Sequence, residues 1–303
     1  MAIDTALPEV SVQPVDTSRD EPVKGILIML LSLAVFAVLN GVVKDMMQRF
    51  PASEIIFFRN AFGLLPLLTL LPWAGGLAIL KPQAPLGHII QALAMSATLV
   101  LSYTAFGLIP LAEVTAILFL QPTIMTVLAH FFLGERGGVR TWASVIVGFA
   151  GVLLIVRPAG LGIQFGALAA IAATVFASIA MLAVRALSSR NASLSISIWY
   201  MVLSTAIFLP TLFFWWVTPT FDQFVGLALM GVTSGVGQYL MILAFRFAKA
   251  STLSPVQYGN LLGAIVVGFV GFGEVPSPAT LLGAVVVMAA MALVLPGRKA
   301  RPK

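Results

Sequence analysis

The sequence predicts an all-α integral membrane protein of ten transmembrane helices, arranged as a 5+5 inverted-topology repeat. Three observations carry that prediction: the scarcity of charge, the spacing of the apolar runs, and a match of the chain to itself at a constant offset. Of 303 residues, 60% are hydrophobic and 9% charged, whereas a soluble domain carries about 25% charged residues. So little charge leaves a surface that lipid solvates better than water. A bilayer core about 30 Å thick takes about 20 apolar residues per crossing, so ten crossings fit this chain with short loops and two tails. The net charge of +6 falls in loops and tails, where it sets orientation rather than binding nucleic acid. No cysteine is present, which excludes disulfides, thiol catalysis and Cys-ligated metals.

Residues 1–23 are polar and hold Asp4, Glu9, Asp16, Asp20 and Glu21, the composition of a disordered cytoplasmic tail. They lack the basic start of a signal peptide, so the first apolar run is expected to be a retained helix. The runs fall at 25–43, 53–72, 87–107, 112–132 and 141–157, then at 162–184, 194–216, 224–244, 251–272 and 278–295. Pro, Gly or charge marks the breaks, as at Arg49-Phe50-Pro51, Gly134-Glu135-Arg136-Gly137-Gly138 and Pro276-Ser277-Pro278. A basic cytoplasmic tail, 297–303, follows the last run.

With the N-terminus inside, the cytoplasmic segments collect Arg19, Lys24, Lys81, Arg136, Arg140, Arg185, Arg190, Arg246, Lys249, Arg298, Lys299, Arg301 and Lys303. Only Lys44, Arg49 and Arg157 fall outside, and Arg59 lies within the second span. That asymmetry puts both termini in the cytoplasm. A shift of 139 carries Ala105-Phe106 onto Ala244-Phe245, Gly134-Glu135 onto Gly273-Glu274, Gly87 onto Gly226 and Thr141 onto Thr280. A shift of 140 carries Phe36-Ala37 onto Phe176-Ala177. The repeats are thus 24–158 and 159–296. Five spans is an odd number, so the second copy enters from the opposite side. Such inverted repeats are typical of transporters with a midplane site between the halves.

The stretch Tyr103-Thr-Ala-Phe106, Pro110-Leu-Ala-Glu113-Val-Thr-Ala116, Gln121-Pro122, Phe131-Phe-Leu-Gly134-Glu135-Arg136 and Gly148-Phe-Ala-Gly151 resembles the drug/metabolite transporter superfamily, in its ten-helix EamA branch. The second copy adds Ala244-Phe-Arg-Phe-Ala-Lys-Ala250, Ser254-Pro255 and Gly273-Glu274, and span 2 adds Glu54-Ile-Ile-Phe-Phe-Arg59. The resemblance covers about residues 25–295. It implies a central cavity, alternating access and no ATP hydrolysis. Two departures stand out: no Arg follows Gly273-Glu274, and Leu261 stands where the first copy has Pro122.

Polar residues inside apolar runs are the site candidates. Glu113 is the carboxylate set clearly within a run, at a cost of roughly 2.5–3.5 kcal/mol for a charge at mid-depth. It is a proton-coupling candidate, with a helix-start acid stabilised by the dipole as the structural alternative. Arg59 is an anion-anchor candidate, with snorkelling or pairing to Glu54 or Asp45 as the alternative. Gln91, Thr98 and Ser102, with Met95, follow helical spacing along span 3. Asn40, Tyr103, Gln121, Gln238, Gln257, Tyr258 and Asn260 complete the substrate-binding set. Gln and Asn carry more weight than Ser and Thr, which often only join helices. Gly231/Gly235 and Gly259/Gly263 suit close helix packing, and Pro122 and Pro255 free backbone groups that a cavity must satisfy. His88 and His130 are far apart in sequence, and neither a metal site nor a cofactor is expected. No GxxxxGK[ST], GxSxG or HExxH occurs.

These features predict a secondary transporter, not an enzyme. It would move a small neutral or zwitterionic, ring-bearing metabolite through a cavity between spans 1, 3, 4, 6, 8 and 9; the family resemblance implies a riboflavin-like or nucleoside-like one. An amino-acid or drug exporter is the alternative, and an intramembrane enzyme or a channel belongs to a different class. The expected partners are the solute and the lipid bilayer of the cytoplasmic membrane, with a homodimer left open.

Overall fold

The computed structural model describes residues 21–121, 124–125, 128, 139–156, 164–188, 191–247, 256 and 259–294. All regular structure among them is helical. The helices are α1 (Pro22–Met46), α2 (Ala52–Leu70), α3 (Pro85–Leu108), α4 (Leu111–Leu118), α5 (Val139–Val156), α6 (Phe165–Ser188), α7 (Ser193–Phe208), α8 (Leu212–Trp215), α9 (Phe221–Phe247), α10 (Gly259–Phe272) and α11 (Pro278–Val294). Two short 3-10 turns, Pro72–Ala74 and Gly76–Leu80, join α2 to α3.

Five of these helices carry spans long and apolar enough to cross a membrane: Val23–Met46, Ala52–Leu70, Pro85–Leu108, Phe165–Val184 and Phe221–Met241. Shorter apolar stretches lie at Ile146–Ile155, Ser193–Phe208, Gly259–Phe272 and Pro278–Ala289. Their outward faces are apolar, with Leu27, Leu31 and Val38 on α1 and Phe269 and Val270 on α10 all exposed. A water-soluble helix would put charge there; a lipid-facing helix needs apolar side chains. Trp73, Trp215 and Trp216 stand exposed near helix ends, where amphipathic rings meet headgroups.

Proline sets several boundaries. Pro22 and Pro85 open α1 and α3 at positions where the missing N–H costs nothing. Pro110 separates α3 from α4, with Ile109 extended before it. The run expected at 194–216 is two helices, because Pro210 cannot continue the hydrogen-bond ladder of α7. The run expected at 112–132 begins as Leu111–Leu118 and turns at Phe119–Leu120; Gln121, Ile124, Met125 and Leu128 beyond it are helical. Within the run expected at 251–272, the described α-helix is Gly259–Phe272. Pro122, Pro255, Gln257, Tyr258 and His130 lie outside the described residues.

Packing pairs link the two halves of the chain. Helix α1 lies along α9 and meets α10, while α6 lies along α3 and meets α4. α2 packs on α9 and α7, and α3 packs on α7. α4 meets α10, and α5 pairs with α11. Glycine makes the closest of these approaches. A Cβ at Gly231 would fall 2.7 Å from the Phe58 carbonyl, and one at Gly235 would overlap the Gly63 carbonyl. At Gly263 it would sit 2.6 Å from Ala37 Cβ. Gly151 and Gly283 face each other across α5 and α11 in the same way. The small-residue pairs read from the sequence are therefore contact points.

Candidate functional site

A buried polar cluster is built where α2, α3 and α7 meet. Arg59 faces the hydroxyls of Tyr103 and Tyr200, and its Nε and Nη1 are sealed from solvent without a hydrogen-bond partner. The neighbouring Asn60, fully buried, donates from Nδ2 to Ser204 Oγ at 2.8 Å and accepts the Tyr200 hydroxyl at 3.4 Å. Ser204 Oγ lies 2.9 Å from Ser96 Oγ. The helices place these groups by simple periodicity: Ser96 and Tyr103 are two turns apart on α3, and Tyr200 and Ser204 are one turn apart on α7.

Neither Glu54 nor Asp45 forms an ion pair with Arg59. Glu54 is fully buried, but its Oε2 accepts the Val217 N–H at 3.0 Å. Asp45 sits 3.6 Å from Arg49. Arg59 as a whole is half-buried, and its Nε and Nη1 are sealed from solvent. What remains is a planar cation with two buried donors unused, beside the hydroxyls of Tyr103 and Tyr200. Such a group binds a carboxylate or phosphate through paired hydrogen bonds.

The other candidates divide. Thr98 Oγ1 bonds the carbonyls of Ala94 at 2.9 Å and Ala173 at 3.4 Å. Gln121 Nε2 bonds the Ala177 carbonyl at 3.4 Å. Thr98 thus joins α3 to α6, and Gln121 joins the segment after α4 to α6. Gln91 and Asn260 each bury a side-chain carbonyl oxygen without a partner, so each keeps an acceptor free. Ser102 is buried, while Asn40 and Gln238 are half-buried. Glu113 begins α4 and accepts from Thr280 Oγ1 at 3.1 Å, which ties it to the start of α11. His88, near the start of α3, is 1% exposed and its ring lies beside that of Trp199, with 6.1 Å between centroids.

Sequence reasoning missed Asn60, Ser96 and Ser204. Small polar residues in membrane helices ordinarily serve as glue, and only Asn60, adjacent to Arg59, gave a local signal. The cluster also departs from the expected set of spans, since α2 and α7 both contribute.

A model described as "EamA-like transporter family" matches residues 23–157 and again 164–295. The Pseudopaline exporter CntI of Pseudomonas aeruginosa is 29% identical, over 88% of this chain and 94% of its own length. A riboflavin transporter of Rhizobium johnstonii is 26% identical over 90% of this chain and 91% of its length. An S-adenosylmethionine uptake transporter of Rickettsia bellii is 26% identical over 89% and 92%. A solved crystal structure shares the fold with a TM-score of 0.62 at 19% identity, covering 91% of this chain and 96% of that one.

Proposed function

This chain belongs to the EamA-like transporter family and is a multi-pass membrane transporter, not an enzyme; on that premise we propose that it carries a small neutral or zwitterionic, ring-bearing metabolite, riboflavin-like or nucleoside-like, across the cytoplasmic membrane by alternating access. The carrying observation is Arg59, half-buried with Nε and Nη1 sealed from solvent, beside the hydroxyls of Tyr103 and Tyr200. The guanidinium takes the carboxylate of a zwitterion, and the two phenol rings meet an apolar ring. Gln91 and Asn260 supply acceptors for the donors of such a solute. Relatives named for riboflavin and for S-adenosylmethionine support the ring-bearing class. Ten spans in a 5+5 inverted repeat, with both termini cytoplasmic, are part of the proposal, and the family model matching the chain twice supports it. A relative named as an exporter favours a second reading, outward transport of such a solute.

The test is uptake of labelled riboflavin, nucleosides, S-adenosylmethionine and amino acids into vesicles holding the purified protein. Saturable movement of a ring-bearing solute, lost in Arg59→Ala, is the expected result. Saturable transport confined to aliphatic amino acids would overturn the substrate class. Chemical conversion of the solute would overturn transport itself.

A further inference from the structure

At one end of the bundle, three elements from both halves of the chain are joined by one charged pair. Lys44, in the last turn of α1, places Nζ 2.6 Å from Glu274 Oε1. The two side chains are 12% and 18% exposed. The same Nζ donates to the Ile109 carbonyl at 3.0 Å, and the Leu111 N–H donates to Glu274 Oε2 at 3.0 Å. Lys44 also lies over the Phe272 ring, 5.5 Å from its centroid.

The local backbone explains why the pair sits there. Pro110 breaks the chain between α3 and α4, so the carbonyl of Ile109 and the N–H of Leu111 lack helical partners. Both residues are buried, at 4% and 0% exposure, where an unpaired backbone group is costly. The ammonium answers the carbonyl and the carboxylate answers the N–H. Glu274 is held in turn by a left-handed cap: Gly273 has φ +64°, and the Glu274 N–H returns to the Gly268 carbonyl at 3.0 Å. A Cβ at Gly268 would come within 2.9 Å of Glu274 Oε2. The pair therefore satisfies both groups of the corner only while α1, the α3–α4 corner and the end of α10 stay together.

We infer that Lys44 and Glu274 form a latch that keeps this face of the transporter closed, and that opening it separates α1 and the α10 cap from the α3–α4 corner. The inference rests on the alternating-access reading above, which requires each face to close and open in turn. Half-buried ion pairs backed by charge-assisted hydrogen bonds suit the role, since they hold one arrangement firmly and are lost together.

The chain has no cysteine, so a single one at Ala112, 4% exposed behind the corner, reports on closure. The full-length protein in nanodiscs, where both faces are reachable, is treated with a polar maleimide. Labelling is expected to be slow in Ala112→Cys alone and in Ala112→Cys with Lys44→Arg. It is expected to accelerate at least about tenfold with Lys44→Met or Glu274→Gln, the factor that 1.4 kcal/mol confers on an opening equilibrium. Should either neutral variant fail to fold, Glu274→Asp, which keeps the charge but shortens the reach, carries the test by the same acceleration. Unchanged labelling in the folded variants overturns the latch. Because labelling needs no solute, that result leaves the vesicle test of transport untouched.

Discussion

Taking a guanidinium out of water costs several kcal/mol unless an opposite charge and hydrogen bonds replace its hydration. Arg59 has two hydroxyls beside it and two buried nitrogens unanswered. A structural cation would destabilise the protein when removed. An anchor awaiting its ligand should do the reverse, because the uncompensated charge disappears with it. Arg59→Met is thus expected to raise the melting temperature of the solute-free protein and to weaken solute binding. Losing a hydrogen bond to a charged group costs about 1.5–3 kcal/mol, or roughly tenfold to a hundredfold in affinity. Thermal unfolding with and without solute checks both signs. A lowered melting temperature with unchanged binding returns Arg59 to a structural role. Glu113 calls for a different substitution. Its Oε1 accepts from Thr280, and Glu113→Gln keeps an acceptor there while removing the exchangeable proton. If Glu113 carries a proton, vesicle uptake by Glu113→Gln loses its pH dependence while the protein stays folded. An unchanged pH profile would remove it from coupling.

Helices in this protein touch where they have glycine. Gly235 brings α9 against the Gly63 carbonyl and Pro66 of α2. A methyl added there must push two backbones apart, and overpacking of this kind costs about 1–3 kcal/mol. Gly235→Ala is therefore expected to lower the melting temperature. Gly271→Ala, on α10 with nothing within 4 Å of the new methyl, should leave it unchanged or raise it. Equal effects in the two variants would show that close contact is not what Gly235 supplies. The element scale is also where the sequence was most readable, for a physical reason. A bilayer forces every buried backbone group into a helix and every outward residue to be apolar, so the spans announce themselves by composition. The breaks were less readable: Pro210 splits one expected run, yet Pro66 sits inside α2 without ending it. The Arg59 cluster was half legible. Arg59 and Tyr103 are conspicuous in apolar runs, whereas Asn60, Ser96 and Ser204 gain meaning only when three helices meet. Lys44 and Glu274 were invisible as a pair, because nothing local joins residues from opposite halves.

The packing pairs carry a symmetry that no single helix shows. Exchange α1, α2, α3, α4 and α5 with α6, α7, α9, α10 and α11. The α1–α9 pair becomes α6–α3, α2–α9 becomes α7–α3, and α1–α10 becomes α6–α4; α2–α7, α4–α10 and α5–α11 map onto themselves. The main pairs thus correspond as two halves related by a two-fold axis require, although α4–α11 and α1–α3 have no counterpart of similar extent, and this supports the repeat proposed from the constant sequence offset. On the proposed reading of five crossings per half, the halves oppose each other across the bilayer, and the excess of Lys and Arg in alternate loops argues for both termini inside. Two exposed positions in a chain without cysteine test the orientation directly. Gln83, between α2 and α3, should face the cytoplasm, and Thr218, between α8 and α9, should face outward. In intact cells a membrane-impermeant maleimide is expected to label Thr218→Cys, and to label Gln83→Cys only after the membrane is permeabilised. The reverse pattern would invert the whole molecule and move the Lys44–Glu274 pair to the inner face. Labelling of both from one side would break the five-plus-five parity, and with it the argument that one half rocks against the other around a midplane site.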